Sequence, residues 1–87
     1  MIKEIEVGKV IHFYTKIKVA AIKILNNELR VGDKIHIKGH TTDFNQVVES
    51  MQKEHQQIEV AMPGEEIGIK VSDYVREGDI VYKVIEE

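Results

Sequence analysis

The sequence predicts an all-β fold, a small closed or nearly closed barrel, on three observations. Stretches in which apolar and polar residues alternate recur at intervals of about 8–12 residues. Glycines punctuate those stretches where a strand would bend or end. The third observation is a Gly-Asp pair, Gly32-Asp33 and again Gly78-Asp79, each directly before a strand-like run.

The first strand is Ile5 to Tyr14, rich in β-branched and aromatic residues, with a bend at Gly8. Lys16 to Ile24 alternates, loses phase at Ala20-Ala21 and resumes. One bulged residue there predicts Ile17, Val19, Ile22 and Ile24 on one face, with Lys16, Lys18 and Lys23 on the other. Asn26-Asn27 reads as a turn, since asparagine tolerates the left-handed region. In Lys34-Ile35-His36-Ile37-Lys38 the isoleucines face a core while Lys34, His36 and Lys38 face water. Gly39 closes the strand, and His40-Thr41-Thr42-Asp43 follows without period. The next segment conflicts with the rest: Phe44, Val47, Val48 and Met51 fall at i, i+3, i+4 and i+7, the spacing of an amphipathic helix with Asp43 as its N-cap. Short strands over Ile58–Ala61 and Ile67–Val71 flank a Pro63-Gly64 turn. The end then repeats the middle, Val75-Arg76-Glu77-Gly78-Asp79 matching Leu29-Arg30-Val31-Gly32-Asp33 in layout.

With 87 residues the chain makes one domain, residues 1–87. A core of that size buries about 60–65% of the unfolded surface, which disfavours a large enclosed active site. Hydrophobic content of 43% with 31% charged argues against a disordered chain. The absence of cysteine excludes disulfides and thiolate-bound zinc. No apolar run approaches the roughly 20 residues that span a bilayer, so no membrane association and a cytoplasmic location are expected. The net charge of −3 hides an asymmetry. Residues 1–40 hold eight Lys/Arg against four acids and residues 41–87 hold four against eleven. Such a division suits an anionic partner on the first half, unless intermixed strands cancel it.

Taken together, Gly8-Lys9-Val10, Leu29 to Gly39, Val48-Glu49-Ser50-Met51, Ala61 to Ile69 and Gly78-Asp79-Ile80-Val81 resemble the second, β-barrel domain of translational GTPases such as elongation factor Tu. The likeness extends to small stand-alone elongation-factor-like proteins and to the C-terminal barrel of U32 peptidases. It implies a six- to seven-stranded antiparallel barrel of Greek-key type. It also implies a strand where the pattern of 44–53 predicts a helix, and the extended reading is adopted, with burial of Val48 and Met51 outweighing propensity. There is no Gly-x-x-x-x-Gly-Lys-[Ser/Thr] loop to cradle phosphates, so no nucleotide and no GTPase activity are expected.

Among candidate sites, His36, His40 and Asp43 are residue types that bind Zn²⁺, but they sit on a strand, a loop and a loop end, and no metal is expected. Ser50 and Ser72 lack a recognisable base, so no catalytic set is assigned and no cofactor is expected. The loop His40-Thr41-Thr42-Asp43 with Gln46 is the candidate recognition surface, because polar loops on rigid barrels commonly bind. Lys16, Lys18, Lys23, Lys34, Lys38 and His36 add a phosphate-contacting face, with Tyr14 or Tyr82 available to stack on a base. The expected function is a non-catalytic, translation-associated module binding tRNA or rRNA. The alternative is a protein-interaction subunit partnering a U32-type enzyme or a translation factor, through exposed strand edges at residues 2–7 and 80–85.

Overall fold

Isoleucine and valine at every second position, with turn residues between the runs, leave the backbone no favourable state but the extended one. In the computed structural model, which describes residues 1–86, the chain forms ten strands. They are β1 (Ile2–Tyr14), β2 (Val19–Ile24), β3 (Leu29–Arg30), β4 (Lys34–Lys38), β5 (Asp43–Val47), β6 (Met51–Lys53), β7 (Gln56–Ile58), β8 (Val60–Ala61), β9 (Glu66–Lys70) and β10 (Ile80–Glu86). Eight of them form one antiparallel sheet in the order β5-β4-β10-β1-β2-β9-β6-β7, while β3 and β8 pair as a separate ribbon. The all-β antiparallel architecture is as the sequence predicts; the strand count exceeds six to seven because corners contribute pieces of two or three residues.

The sheet curls about one core. Ile22 and Ile24 of β2, Ile35 and Ile37 of β4, Ile69 of β9 and Val81 of β10 are all fully buried, with Leu29 of the β3–β8 ribbon among them. Each such side chain stabilises the fold by about 1.5–3 kcal/mol relative to exposure. Ties outside the main sheet draw its ends together. Gly32 N–H donates to Val48 O and Val48 N–H to Asp33 O, both at 2.8 Å, and Val31 N–H donates to Glu59 O at 3.0 Å.

Three corners share one construction. At Arg30-Val31-Gly32-Asp33 and at Arg76-Glu77-Gly78-Asp79 the glycine has φ of 98° and 96°. The aspartate Oδ2 accepts the N–H of the arginine three residues earlier, at 2.8 Å in both. Met62-Pro63-Gly64-Glu65 is the third copy: Gly64 has φ 92°, and Glu65 Oε1 accepts Met62 N–H at 2.7 Å. Positive φ explains the glycine; an orphaned donor explains the acid.

Two expectations are corrected. The bulge foreseen at Ala20-Ala21 lies instead in β1, where the register with β2 shifts between Val10 and His12, and a second shift against β10 falls between Glu6 and Gly8. Strand β2 therefore keeps strict alternation, with Ala20, Ile22 and Ile24 inside and Val19, Ala21 and Lys23 outside. Lys16 and Lys18 belong to the 15–18 turn, where Lys18 has φ 52°, rather than to a strand face. Second, residues 2–7 and 80–85 are not free edges: β1 and β10 pair with each other from Ile2↔Glu86 to Lys9↔Ile80. The outermost strands are β5 and β7. The extended reading adopted for 44–53 holds against the helical spacing, for β5 and β6 are strands there. Val47, the last residue of β5, is exposed, while Val48 just after it and Met51 at the start of β6 are buried.

Candidate functional site

The loop between β4 and β5 is a tight hairpin end, closed by Gly39 N–H donating to Thr42 O at 2.7 Å. Gly39 is required by close approach, because a Cβ there would stand 1.8 Å from Asp79 Oδ1. Thr42 is buried beneath the loop, whereas His40 and Thr41 are exposed.

Asp43 turns back onto β4. Its Oδ1 lies 2.5 Å from His36 Nε2, while Glu4 of β1 takes His36 Nδ1 at 2.9 Å. With a carboxylate on each ring nitrogen, His36 is favoured as the doubly protonated imidazolium. The Asp43 hydrogen bond first, and then that of Glu4, raise its pKa above the usual 6.5. The ring is not the water-facing group the alternation predicts, for its side chain is only 14% exposed. Ring nitrogens that both donate have no lone pair for Zn²⁺. No cluster of three or more His, Cys, Asp or Glu suited to a metal occurs among the described residues.

Gln46 behaves like a strand residue at the end of its side chain. Its Nε2 donates to Lys70 O at 2.9 Å and its Oε1 accepts Ser72 N–H at 2.8 Å, stapling β5 to the chain leaving β9. The lysines do not make one face. Lys16, Lys18 and Lys23 stand on the β2 side of the sheet, and Lys34 and Lys38 on β4, with β10 and β1 between. Acids interleave: Lys34 pairs with Glu86 at 3.6 Å and Lys83 with Asp33 at 3.2 Å. Lys18 Nζ lies 5.4 Å from the centre of the Tyr74 ring. Lys53 binds Glu65, holding the Glu65 carboxyl below its usual range.

Two concavities involve residues that the sequence singled out. One, of about 300 Å³, is lined by Thr41, Thr42, Asp43 and Phe44 with Asp73, Tyr74 and Arg76 across from them. The structure thus joins the predicted loop to a segment that the sequence did not mark; an exposed aromatic beside an arginine was the available signal. The other, of about 460 Å³, lies on the outer face of β2, β9 and β6, between Tyr14 and Ile17 at one side and Glu54 and His55 at the other. Tyr14 had been singled out for base stacking; it stands in this groove, while Tyr82 lies beside His36 with ring centres 6.1 Å apart.

No family model matches the chain. It is 46% identical over 81 residues to a Methanocaldococcus jannaschii protein named uncharacterized protease, covering 92% of this chain and 20% of that one. It is 39% identical over 82 residues to a Porphyromonas gingivalis protein named collagenase, covering 93% and 20%. The chain therefore spans about a fifth of the length of these relatives. Among solved structures, the C-terminal domain of a U32 peptidase from Geobacillus thermoleovorans superposes with a TM-score of 0.82 at 22% identity, covering 87% of this chain and 95% of that one. A second structure of that domain gives 0.83, also at 22% identity, covering 88% and 89%. The fold is that of the U32 C-terminal domain.

Proposed function

We propose that this chain is a non-catalytic β module that works with a U32-type enzyme, the partner reading of the sequence rather than the translational one. The observation that carries it is the 46% identity, running over 92% of this chain but over only a fifth of a protein named a protease. A segment of that size leaves room elsewhere in the larger protein for a catalytic unit. The polar groups at the β4–β5 end support the same reading, because the side chains of His36, Asp43 and Gln46 are engaged in holding strands together and Thr42 is buried. A tRNA- or rRNA-binding role would call for a continuous basic face, whereas acids stand among the lysines here, Glu86 beside Lys34 and Asp33 beside Lys83.

The test is a transplant. The matching 81 residues of the Methanocaldococcus relative are deleted, or replaced by this chain, and hydrolysis of labelled gelatin is followed. The replaced protein is expected to recover the parent's rate and this chain alone to release no label. Gelatin hydrolysis by the isolated chain, or a replacement no better than the deletion, would overturn the reading.

A further inference from the structure

The groove on the outer face is built differently from the rest of the surface. Its floor is a cross-strand pair of small residues, Ala21 on β2 opposite Gly68 on β9. One wall is the end of the β1–β2 hairpin, where Tyr14 and Ile17 are 50% and 61% exposed. The other is the β6–β7 hairpin, whose two central residues, Glu54 and His55, have φ of 51° and 66°.

Three features narrow what fits. Adjacent large apolar side chains left in water gain about 25 cal/mol for each Å² that a partner covers. The ionisable side chains in the lining are Glu54, Glu66, His55 and Tyr14, with no lysine or arginine among the described lining residues. Lys23, opposite Glu66, and Lys70 stand outside the lining, so the charges that face the groove itself are carboxylates, which complement a cation and repel a phosphodiester backbone. Finally, Glu54 and His55 hold consecutive left-handed conformations that Asn-Gly would adopt more cheaply, at about 1–2 kcal/mol less per residue. These two side chains thus stand at the groove wall at a cost in backbone conformation.

We propose that this groove receives an extended segment of polypeptide substrate in which a large apolar side chain adjoins a lysine or arginine. The apolar group lies over Ala21 and Gly68 between Tyr14 and Ile17, and the cation meets Glu54 and Glu66. That the peptide is a substrate rests on the reading of the chain as a module of a U32-type enzyme; the fit of the peptide to the groove does not.

The experiment is fluorescence anisotropy with labelled Gly-Leu-Arg-Gly-Phe-Lys-Gly, with the same peptide carrying glutamate for both basic residues, and with an oligouridylate. The basic peptide is expected to bind at least about tenfold more tightly than the acidic one. Ile17→Ser, and Glu54→Gln with Glu66→Gln, should each weaken it by about fivefold or more. The pair Glu54→Asn and His55→Gly separates binding from folding, because it should raise the thermal unfolding midpoint while weakening the peptide. Equal binding of both peptides, tighter binding of the oligouridylate, or unchanged binding by that pair of substitutions would overturn the proposal. A working transplant with no peptide binding sinks the groove alone; peptide binding with a failed transplant sinks the enzyme-module reading alone.

Discussion

The two ends of this sheet handle side-chain chemistry in opposite ways. Around β4 and β5 the polar groups face one another: His36 lies between Glu4 and Asp43, Gln46 fastens to the backbone at 70 and 72, and the Asp79 carboxylate sits against Gly39. Across β2, β9 and β6 small residues, Ala21 and Gly68, floor a groove between two hairpins whose rim carries Tyr14, Ile17, Glu54 and Glu66. Residue types that suggest a binding site are, at the first end, the means by which strands are held in register. The surface left for a partner takes its shape from Ala21 and Gly68, types that attract no notice in a sequence.

Substitutions can sharpen this contrast, since the first end should answer in stability and the second in binding. The largest effect is expected for Gly39→Ala, whose methyl would collide with the buried Asp79 carboxylate and displace it from Arg76 N–H. A loss of about 3 kcal/mol in urea unfolding is predicted. Gln46→Ala should follow at about 1 kcal/mol, with faster hydrogen exchange at the Ser72 amide that Gln46 now accepts from. His36→Gln should change the pH dependence of stability. The folded-state pKa of His36 is raised, so its contribution is fully present below about pH 6.5 and fades as pH climbs through the folded value. The thermal midpoint of the parent minus that of His36→Gln should therefore shrink from about pH 5.5 to about pH 9. Ile17→Ser, in an exposed turn of the other end, should move stability by no more than about 0.5 kcal/mol. A large loss there would break the contrast.

Much of the fold was legible because it follows from local chemistry. Ile35 and Ile37 inside, the bend at Gly8 and the twin Gly-Asp corners need only alternation, close approach and positive φ. The helical spacing of Phe44 to Met51 points the wrong way because period alone ignores where the neighbouring strands run; Val48 is buried and its backbone bonds to Gly32 and Asp33, and only the family resemblance pointed to an extended chain. The bulge was assigned to the wrong partner for a related reason. A lost phase at Ala20-Ala21 and an extra residue at Ile11 are equivalent until the strands are paired. The loop at His40–Asp43 was found, but Asp73, Tyr74 and Arg76 facing it were not, being adjacent only through the return of the chain. The groove was least legible, since alanine and glycine signal their role only by what stands beside them.

The central claim is that the outer face of β2 and β9, and not the polar β4–β5 loop, meets the partner. Amide chemical-shift mapping of the labelled chain during titration with Gly-Leu-Arg-Gly-Phe-Lys-Gly tests it most directly. Shifts centred on Val19, Ala21, Gln52 and Gly68 are predicted; shifts confined to His40, Thr41 and Asp43 would contradict it.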